Sequence, residues 1–206
     1  MARHRPQLLD LLLEKDPALE LSMQEGLLHE LLPRLSSHDL DCVIGRTNSR
    51  MDKNEIDSIF LYEDPIAVAV GGGNRLVRGD ETGIEDLLAL PWILPIQGSV
   101  LRERIDEMFY RLMVPAPGRC IESNAVLANI ILVNRHDWVI ALPTVTARFF
   151  EELGHLRILP IDTRSQIGNV EVLIRKSDVI SSPLRLALRT LQEMFPHRQG
   201  RNAFDT

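Results

Sequence analysis

The sequence is poor in cysteine: Cys42 and Cys120 are the only two in 206 residues. A disulfide-stapled scaffold or a cysteine-rich metal domain is excluded on that count. Each cysteine lies in a short apolar run, so both are expected to be buried, reduced thiols, with a disulfide as the second reading. Long hydrophobic runs are also missing. No apolar stretch approaches the roughly 20 residues a membrane-spanning helix needs. In the N-terminal MARHRPQLLDLLLEKD, Asp10, Glu14 and Lys15 break up the leucines, which argues against a secretory signal. Positive charge is short as well: 23 Lys and Arg face 29 Asp and Glu, a formal net charge of −6. A nucleic-acid surface made by this chain alone is therefore not expected, because phosphate contacts need clustered Lys and Arg.

Signatures of chemistry are equally scarce. There is no Gly-x-Ser-x-Gly elbow. The six histidines, at 4, 29, 38, 136, 155 and 197, have no metal-ligand spacing to Cys, Asp or Glu. Glu122 ends a strand-like run with no proton-transfer partner in view, so it reads as a hydrogen-bond acceptor. Gly71-Gly72-Gly73 lacks the Gly-Lys-Ser/Thr ending of a phosphate loop and has no helix directly after it. It reads as a turn or hinge. No catalytic residue, metal or cofactor is expected, and no internal repeat or low-complexity tract is present.

What remains is ordinary globular composition, 45% hydrophobic and 25% charged, enough for one large domain or two small ones. Pro6 opens an expected helix to about Lys15, with Leu8, Leu9, Leu12 and Leu13 inward. Leu19 to Met23 alternates as a strand. After Glu25-Gly26, Leu28, Leu31, Leu32 and Leu35 share a helix face. Leu40 to Ile44 reads as a buried strand stopping at Gly45-Arg46. This β and α alternation is the pattern of a parallel sheet covered by helices. Thr47 to Asp57 reads as a loop, and Ile59–Tyr62 and Ile66–Val70 as extended runs. Ile84–Leu88 reads as a short helix. Toward the end come a strand at Leu156–Leu159, a longer one at Gly168–Arg175 and a helix capped by Ser181 or Ser182. The tail from His197 is expected to fray.

The chain is organised around Pro91 to Pro143. Trp92-Ile93-Leu94 is a short apolar run. Gln97-Gly98-Ser99 turns into a helix with Leu101, Ile105, Met108, Phe109 and Leu112 on one face. Arg119 to Glu122 is extended again. Ser123 or Asn124 can cap the helix after it, expected to carry Leu127, Ile130 and Ile131 inward. Trp138 to Leu142 is a third strand, and Pro143-Thr144 opens a helix bearing Val145, Phe149 and Phe150, with Gly154 at its C-cap. Three strands feeding three helices bring three helix N-termini to one crevice, where backbone N–H groups attract anions.

These segments, in order and at this spacing, resemble the effector-binding domain of LysR-type transcriptional regulators. The matching pieces are PALELSMQEG, LLPRLSSHDLDCVIGR, LPWILPIQGSVLRERIDEMF, IESNAV, WVIALPTVTARFFEELGHLRILPI and SSPLRLALRTL. PWILPIQGS and IES are most similar to the branch tied to sugar-binding-protein regulation and aromatic degradation. The resemblance implies an α/β, type 2 periplasmic-binding-protein-like fold of two α/β subdomains joined by two crossover strands. Residues 1–66 with 166–206 would form one subdomain and 67–165 the other, with an effector in the cleft. Three departures stand out. The family's N-terminal winged helix-turn-helix is not in this sequence, and only MARHR precedes the helix that normally follows the family's first strand. The family's Gly-His-Pro-Leu is Gly73-Asn74-Arg75-Leu76 here.

The resemblance implies effector contacts at Gln97, Gly98, Ser99, Ser123, Asn124, Pro143 and Thr144, and at Gly26, Leu27 and Arg46 on the facing subdomain. For Ser99, Ser123 and Thr144 the competing reading is helix capping; for Arg46 it is a solvated or ion-paired side chain. The expected partners are a small organic effector (a carboxylate, sugar acid or aromatic compound) and further copies of the chain. DNA would be met only through the part not in this sequence, and no membrane is involved. Self-association is expected through the helices at about 26–36 and 100–113, in the cytoplasm. A solute-binding protein, an enzyme on the same fold, or a truncated gene remnant are the alternatives.

Overall fold

The computed structural model describes residues 4–47, 55–75, 82–163, 168–176 and 179–196. In chain order the elements are α1 (His4–Lys15), α2 (Leu28–Ser36), β1 (Val43–Arg46), β2 (Ile56–Asp64), β3 (Ile66–Gly71), α3 (Ile84–Leu88), β4 (Trp92–Leu94), α4 (Val100–Arg111), β5 (Cys120–Glu122), α5 (Val126–Arg135), β6 (Val139–Pro143), α6 (Thr144–Glu152), β7 (Leu156–Ile158), β8 (Gly168–Arg175) and α7 (Ser182–Met194). The chain forms two compact units, one of Asp64–Ile167 and one of His4–Glu63 with Gly168–Thr206.

The Asp64–Ile167 unit is a five-stranded sheet in the order β5-β4-β6-β3-β7. Strand β4 runs parallel to β5 and β6, while β3 runs antiparallel to β6 and β7. The alternation within each strand divides two cores, because successive side chains point to opposite faces. On one face lie Ile66, Val68, Val70, Trp92, Leu94 and Val139, packed with Ile105, Met108 and Phe109 of α4. On the other lie Ala67, Ala69, Ile93 and Ile140, packed with Ile130 and Val133 of α5 and Phe150 of α6. Small residues on that face of β3 let α5 come close. At Gly71 a Cβ would stand 2.4 Å from the Val133 carbonyl oxygen, and at Gly72 one would stand 2.2 Å from that of Gly154. The glycine pair is thus required by close backbone approach. Gly154 follows the C-cap of α6 with φ +74°, as its expected capping role demands.

In the other unit, α2 lays Leu28, Leu31, Leu32 and Leu35 against Val43, Ile56 and Leu173, as their spacing predicts. Its sheet has the order β1-β8-β2. Here β1 pairs with β8 antiparallel, so the parallel pattern expected of this region is corrected. The α/β alternation in the sequence does not contain β8, which arrives from far along the chain. Strand β1 starts at Val43 and includes Gly45 and Arg46, later than expected, because the Arg175 guanidinium holds the Leu40 and Leu35 carbonyls, each at 2.6 Å. Leu19 to Met23 is not a strand: Leu21 and Met23 are exposed, and among the described residues no strand pairs with the segment. Alternation supplies a strand only where a neighbour offers backbone partners. Leu13 is also exposed, and Leu12 alone of the α1 leucines is buried. β2 begins at Ile56, inside the expected loop; residues 48–54 of that loop, Leu76 and the tail from His197 lie outside the described residues.

The cysteine expectation fails for Cys120, which is exposed, since β5 is an edge strand. Cys42 is half-buried; burial first, and Asp41 second, push its thiol up to about 11 against the opposing pull of Arg175. Both thiols are free.

Candidate functional site

Strands β4, β5 and β6 are parallel and each leads into a helix, β6 directly and the other two through a turn, so three strand-to-helix junctions share one end of the sheet. The first two are bonded directly. Ser123 N–H donates to the Leu94 carbonyl at 2.9 Å, and Ile96 N–H donates to Asn124 Oδ1 at 3.3 Å.

At the first junction Gly98 has φ +77°, a backbone state that disfavours any other residue. Ser99 is buried and fully engaged: its Oγ accepts from Arg102 N–H at 3.2 Å and donates to the Ile96 carbonyl at 2.8 Å. The helix-cap reading of Ser99 is what its side chain does here. Gln97 and Gly98 are exposed on the turn.

At the second junction neither Ser123 nor Asn124 is the N-cap. Ala125 occupies that position without a side-chain bond, while Ser123 Oγ accepts from Ala125 N–H at 3.1 Å. Asn129 Nδ2 donates to the Ser123 carbonyl at 3.1 Å and fixes the turn from inside. The inward face of α5 is correspondingly Asn129, Ile130 and Val133, whereas Leu127 and Ile131 are 72% and 53% exposed, contrary to expectation.

At the third junction Pro143 holds the N-cap position, and Thr144 donates through both N–H and Oγ1 to the Pro65 carbonyl, each at 2.8 Å. The positive end of α6 already has an anion: buried Asp64 accepts from Val145 N–H at 3.1 Å.

Beneath the first two junctions lies a buried guanidinium. Arg102 Nη1 donates to Glu122 Oε1 at 2.7 Å and to the Pro95 carbonyl at 3.1 Å, and its Nε donates to Asp106 at 2.9 Å. Burial works against the charge on Arg102, but the bonds to Asp106 and Glu122 outweigh it and its pKa rises. The Glu122 carboxyl is held below its ordinary range, first by the Arg102 bond, against some desolvation, with Gln97 helping through backbone N–H and side chain. Glu122 is thus a locked ionised acceptor.

In the other unit Leu27 is the N-cap of α2, and its N–H donates to Glu30 Oε2 at 2.8 Å. Gly26 is exposed, yet a Cβ there would meet Glu30 Oε2 and Leu31 Cδ2 at 3.2 Å each. Arg46 is half-buried at the end of β1 and has partners of its own. A Cβ at Gly45 would lie 3.7 Å from Leu28, so the end of β1 adjoins the start of α2. Opposite Gly45, β8 carries Glu171, 7% exposed, whose Oε2 has no partner among the described residues.

Among the described residues no group of three His, Cys, Asp or Glu side chains is placed to hold a metal ion. None of the described helices is long and apolar enough to cross a membrane. The family profile of the LysR substrate binding domain matches residues 1–196. This chain belongs to that family.

The LysR domain is similar to the HTH-type transcriptional regulator GbpR of Azospirillum brasilense, 26% identical over 177 residues, 85% of this chain and 52% of that protein. It is also similar to the HTH-type regulator PcaQ of Agrobacterium fabrum, 27% identical over 165 residues, 79% of this chain and 52% of that protein. The chain spans about half the length of these curated relatives. Among solved structures, the Synechocystis PCC6803 CcmR regulatory domain in complex with 2-PG superposes with a TM-score of 0.79 at 18% identity, over 96% of this chain and 93% of that one. The QuiR effector binding domain in complex with shikimate gives 0.71 at 17%, over 92% and 89%. The BenM effector binding domain with benzoate gives 0.71 at 16%, over 93% and 85%. The fold is therefore the type 2 periplasmic-binding-protein-like fold of LysR effector-binding domains, and the family consists of regulator domains rather than enzymes.

Three residues that shape the junctions of the LysR domain escape sequence reading. Arg102 sits among apolar helix positions, and only its spacing to Ser99 and Asp106 hints at its bonds. Asp64 lies in an apparent break between two strands. Asn129 hides in the apolar run VLANIILV, where a lone amide in a buried stripe is the one available signal.

Proposed function

We propose that this domain senses a small organic effector and, within a longer regulator, adjusts transcription through a DNA-binding part. The observation that carries the reading is the convergence of three strand-to-helix junctions at one end of the Asp64–Ile167 sheet. The proposed contacts there are Gln97, Gly98, Ser99, Ser123, Asn124, Pro143 and Thr144. With its hydroxyl engaged, Ser99 would act through its turn backbone. Gly26, Leu27 and Arg46 stay as candidate contacts in the other unit. The similarity to effector-binding domains solved with shikimate, benzoate and 2-PG supports a small organic acid or a related compound. An effector acts by binding two states of the protein unequally.

The partners would be further copies of this chain, in the cytoplasm. Exposed Val126, Leu127 and Ile131 on α5, and exposed Ile121 on the edge strand β5, favour self-association through these elements over the helices at about 26–36 and 100–113.

A thermal-shift screen of the purified chain tests the sensing reading. The panel holds aromatic acids, sugar acids, short dicarboxylates and amino acids. A ligand at 100 times its Kd adds about 2.7 kcal/mol, a shift of several degrees. A cooperative melt that no ligand moves would overturn the reading.

A further inference from the structure

We infer that two copies of this chain pair through the open edge of β5, antiparallel and centred on Ile121, so that their five-stranded sheets join. This rests on the self-association proposed above and names its contact. The sensing reading does not depend on it.

The ground is a difference between the two edges of the Asp64–Ile167 sheet. Along a strand, successive residues turn their N–H and C=O groups to opposite sides. At the β7 edge, Leu159 N–H donates to the Val68 carbonyl and Gly72 N–H to that of His155, so His155, Arg157 and Leu159 bond inward to β3. Ile158 N–H therefore points outward, and there Glu151 Oε1 accepts from it at 2.8 Å. That edge is closed by a carboxylate, and its Leu156 is 3% exposed.

The β5 edge has no such closure. Trp92 N–H donates to the Arg119 carbonyl and Ser123 N–H to that of Leu94, both at 2.9 Å, so Arg119, Ile121 and Ser123 bond inward to β4. Cys120 and Glu122 turn their backbone groups outward, and no strand among the described residues lies on that side. No hydrogen bond among the described residues reaches those groups. The side chains leave the edge accessible as well. Ile121 shares the sheet face of Ile93 and is 39% exposed, and Cys120 and Glu122 are exposed. Lysine and proline, which blunt many edge strands, are missing from β5, and the charge of Glu122 is turned to Arg102.

A second copy is the occupant because β5 complements itself. In an antiparallel pair, outward-facing residues bond only to outward-facing residues. Setting Cys120 opposite Glu122 of the second copy engages both residues on both strands. It also sets Ile121 opposite Ile121, where the exposed side chains cover each other. Slipping the strands by two residues is worse either way. One slip sets Cys120 against Cys120 and carries Glu122 past the end of β5. The other sets Glu122 against Glu122, like charge against like.

The test is made on the purified chain. Sedimentation across a wide concentration range should show a monomer–dimer equilibrium. Cys120→Pro removes an outward N–H and none of the β4 bonds, as an edge strand tolerates. It should weaken the dimer at least about tenfold, since each copy loses a hydrogen bond, while the melting temperature of the dilute chain holds. If Cys120→Pro does not fold, Ile121→Lys takes its place. Cross-linking reads the register. Ile121→Cys in a Cys120→Ser background should give a covalent dimer on mild oxidation, because directly opposed, non-hydrogen-bonded residues stand about 4.5 Å apart at Cα. The wild type should give none, because Cys120 and its copy fall on the diagonal, about 7–8 Å apart. A dimer that does not cross-link through position 121, one indifferent to these edge substitutions, or a wild-type dimer linked through Cys120 overturns this inference and leaves self-association standing. A monomer at every concentration overturns both.

Discussion

Arg102 and Glu122 come from different elements and meet at 2.7 Å, joining the first turn of α4 to the end of β5. The pair fixes the spacing of the two junctions, since the same guanidinium also holds the Pro95 carbonyl.

Arg102→Met should lower the melting temperature clearly. Arg104→Met, whose pair with Glu107 is more exposed, should change it little. The pair also sets a pH dependence. The Glu122 carboxyl is depressed in the folded chain, so its contribution is present above the unfolded carboxyl pKa of about 4.3 and is lost as pH falls through the lower folded value. Wild type and Glu122→Gln should therefore differ in denaturant midpoint at pH 7 and converge in acid. Parallel curves from neutral to acid pH would show that the pair does not titrate with folding.

The two thiols should react at different rates. Cys120 is exposed on an edge strand, whereas burial pushes Cys42 up to about 11. At pH 8 roughly a thousandth of Cys42 is thiolate. An aromatic disulfide reagent should titrate one thiol quickly in the native chain and the second only after denaturant is added. Two fast thiols would contradict the packing around Cys42.

Gly71 and Gly73 should differ in their response to alanine. At Gly71 the new methyl would strike the Val133 carbonyl, and the strand or α5 must shift, at about 1–3 kcal/mol. At Gly73 nothing among the described residues lies within 4 Å, and the change should stay within about 0.5 kcal/mol. Urea midpoints of the two variants decide it, with unchanged slopes as the control.

Glu171→Met should stabilise the chain. A buried carboxylate with an unpartnered oxygen costs about 1–3 kcal/mol, and methionine fills a similar space without that cost. A destabilised variant would show that the carboxylate has a partner in solution.

Much of the fold was legible because its cause is local. Ile105, Met108 and Phe109 repeat at helical spacing and are buried, and Gly154 ends its helix with the positive φ that glycine favours. Elsewhere local pattern misled. Leu19 to Met23 alternates as a strand does, yet a strand also needs a neighbour, and none is there among the described residues. The run from Val126 to Val133 is apolar almost all round, so periodicity could not choose its inner face; the bond from Asn129 to Ser123 accompanies a face turned away from Leu127 and Ile131.

The sequence by itself determined the family, the order of the elements from β4 to α6, and the three junctions at Gln97-Gly98-Ser99, Ser123-Asn124 and Pro143-Thr144, because turn residues and hydrophobic periods act over a few neighbouring positions. Only the tertiary structure decided what those junctions already hold. Asp64 reaches α6 from 81 positions away, and Glu122 reaches Arg102 from 20. Such partners are set by chain path and sheet register, and short-range pattern carries no record of either.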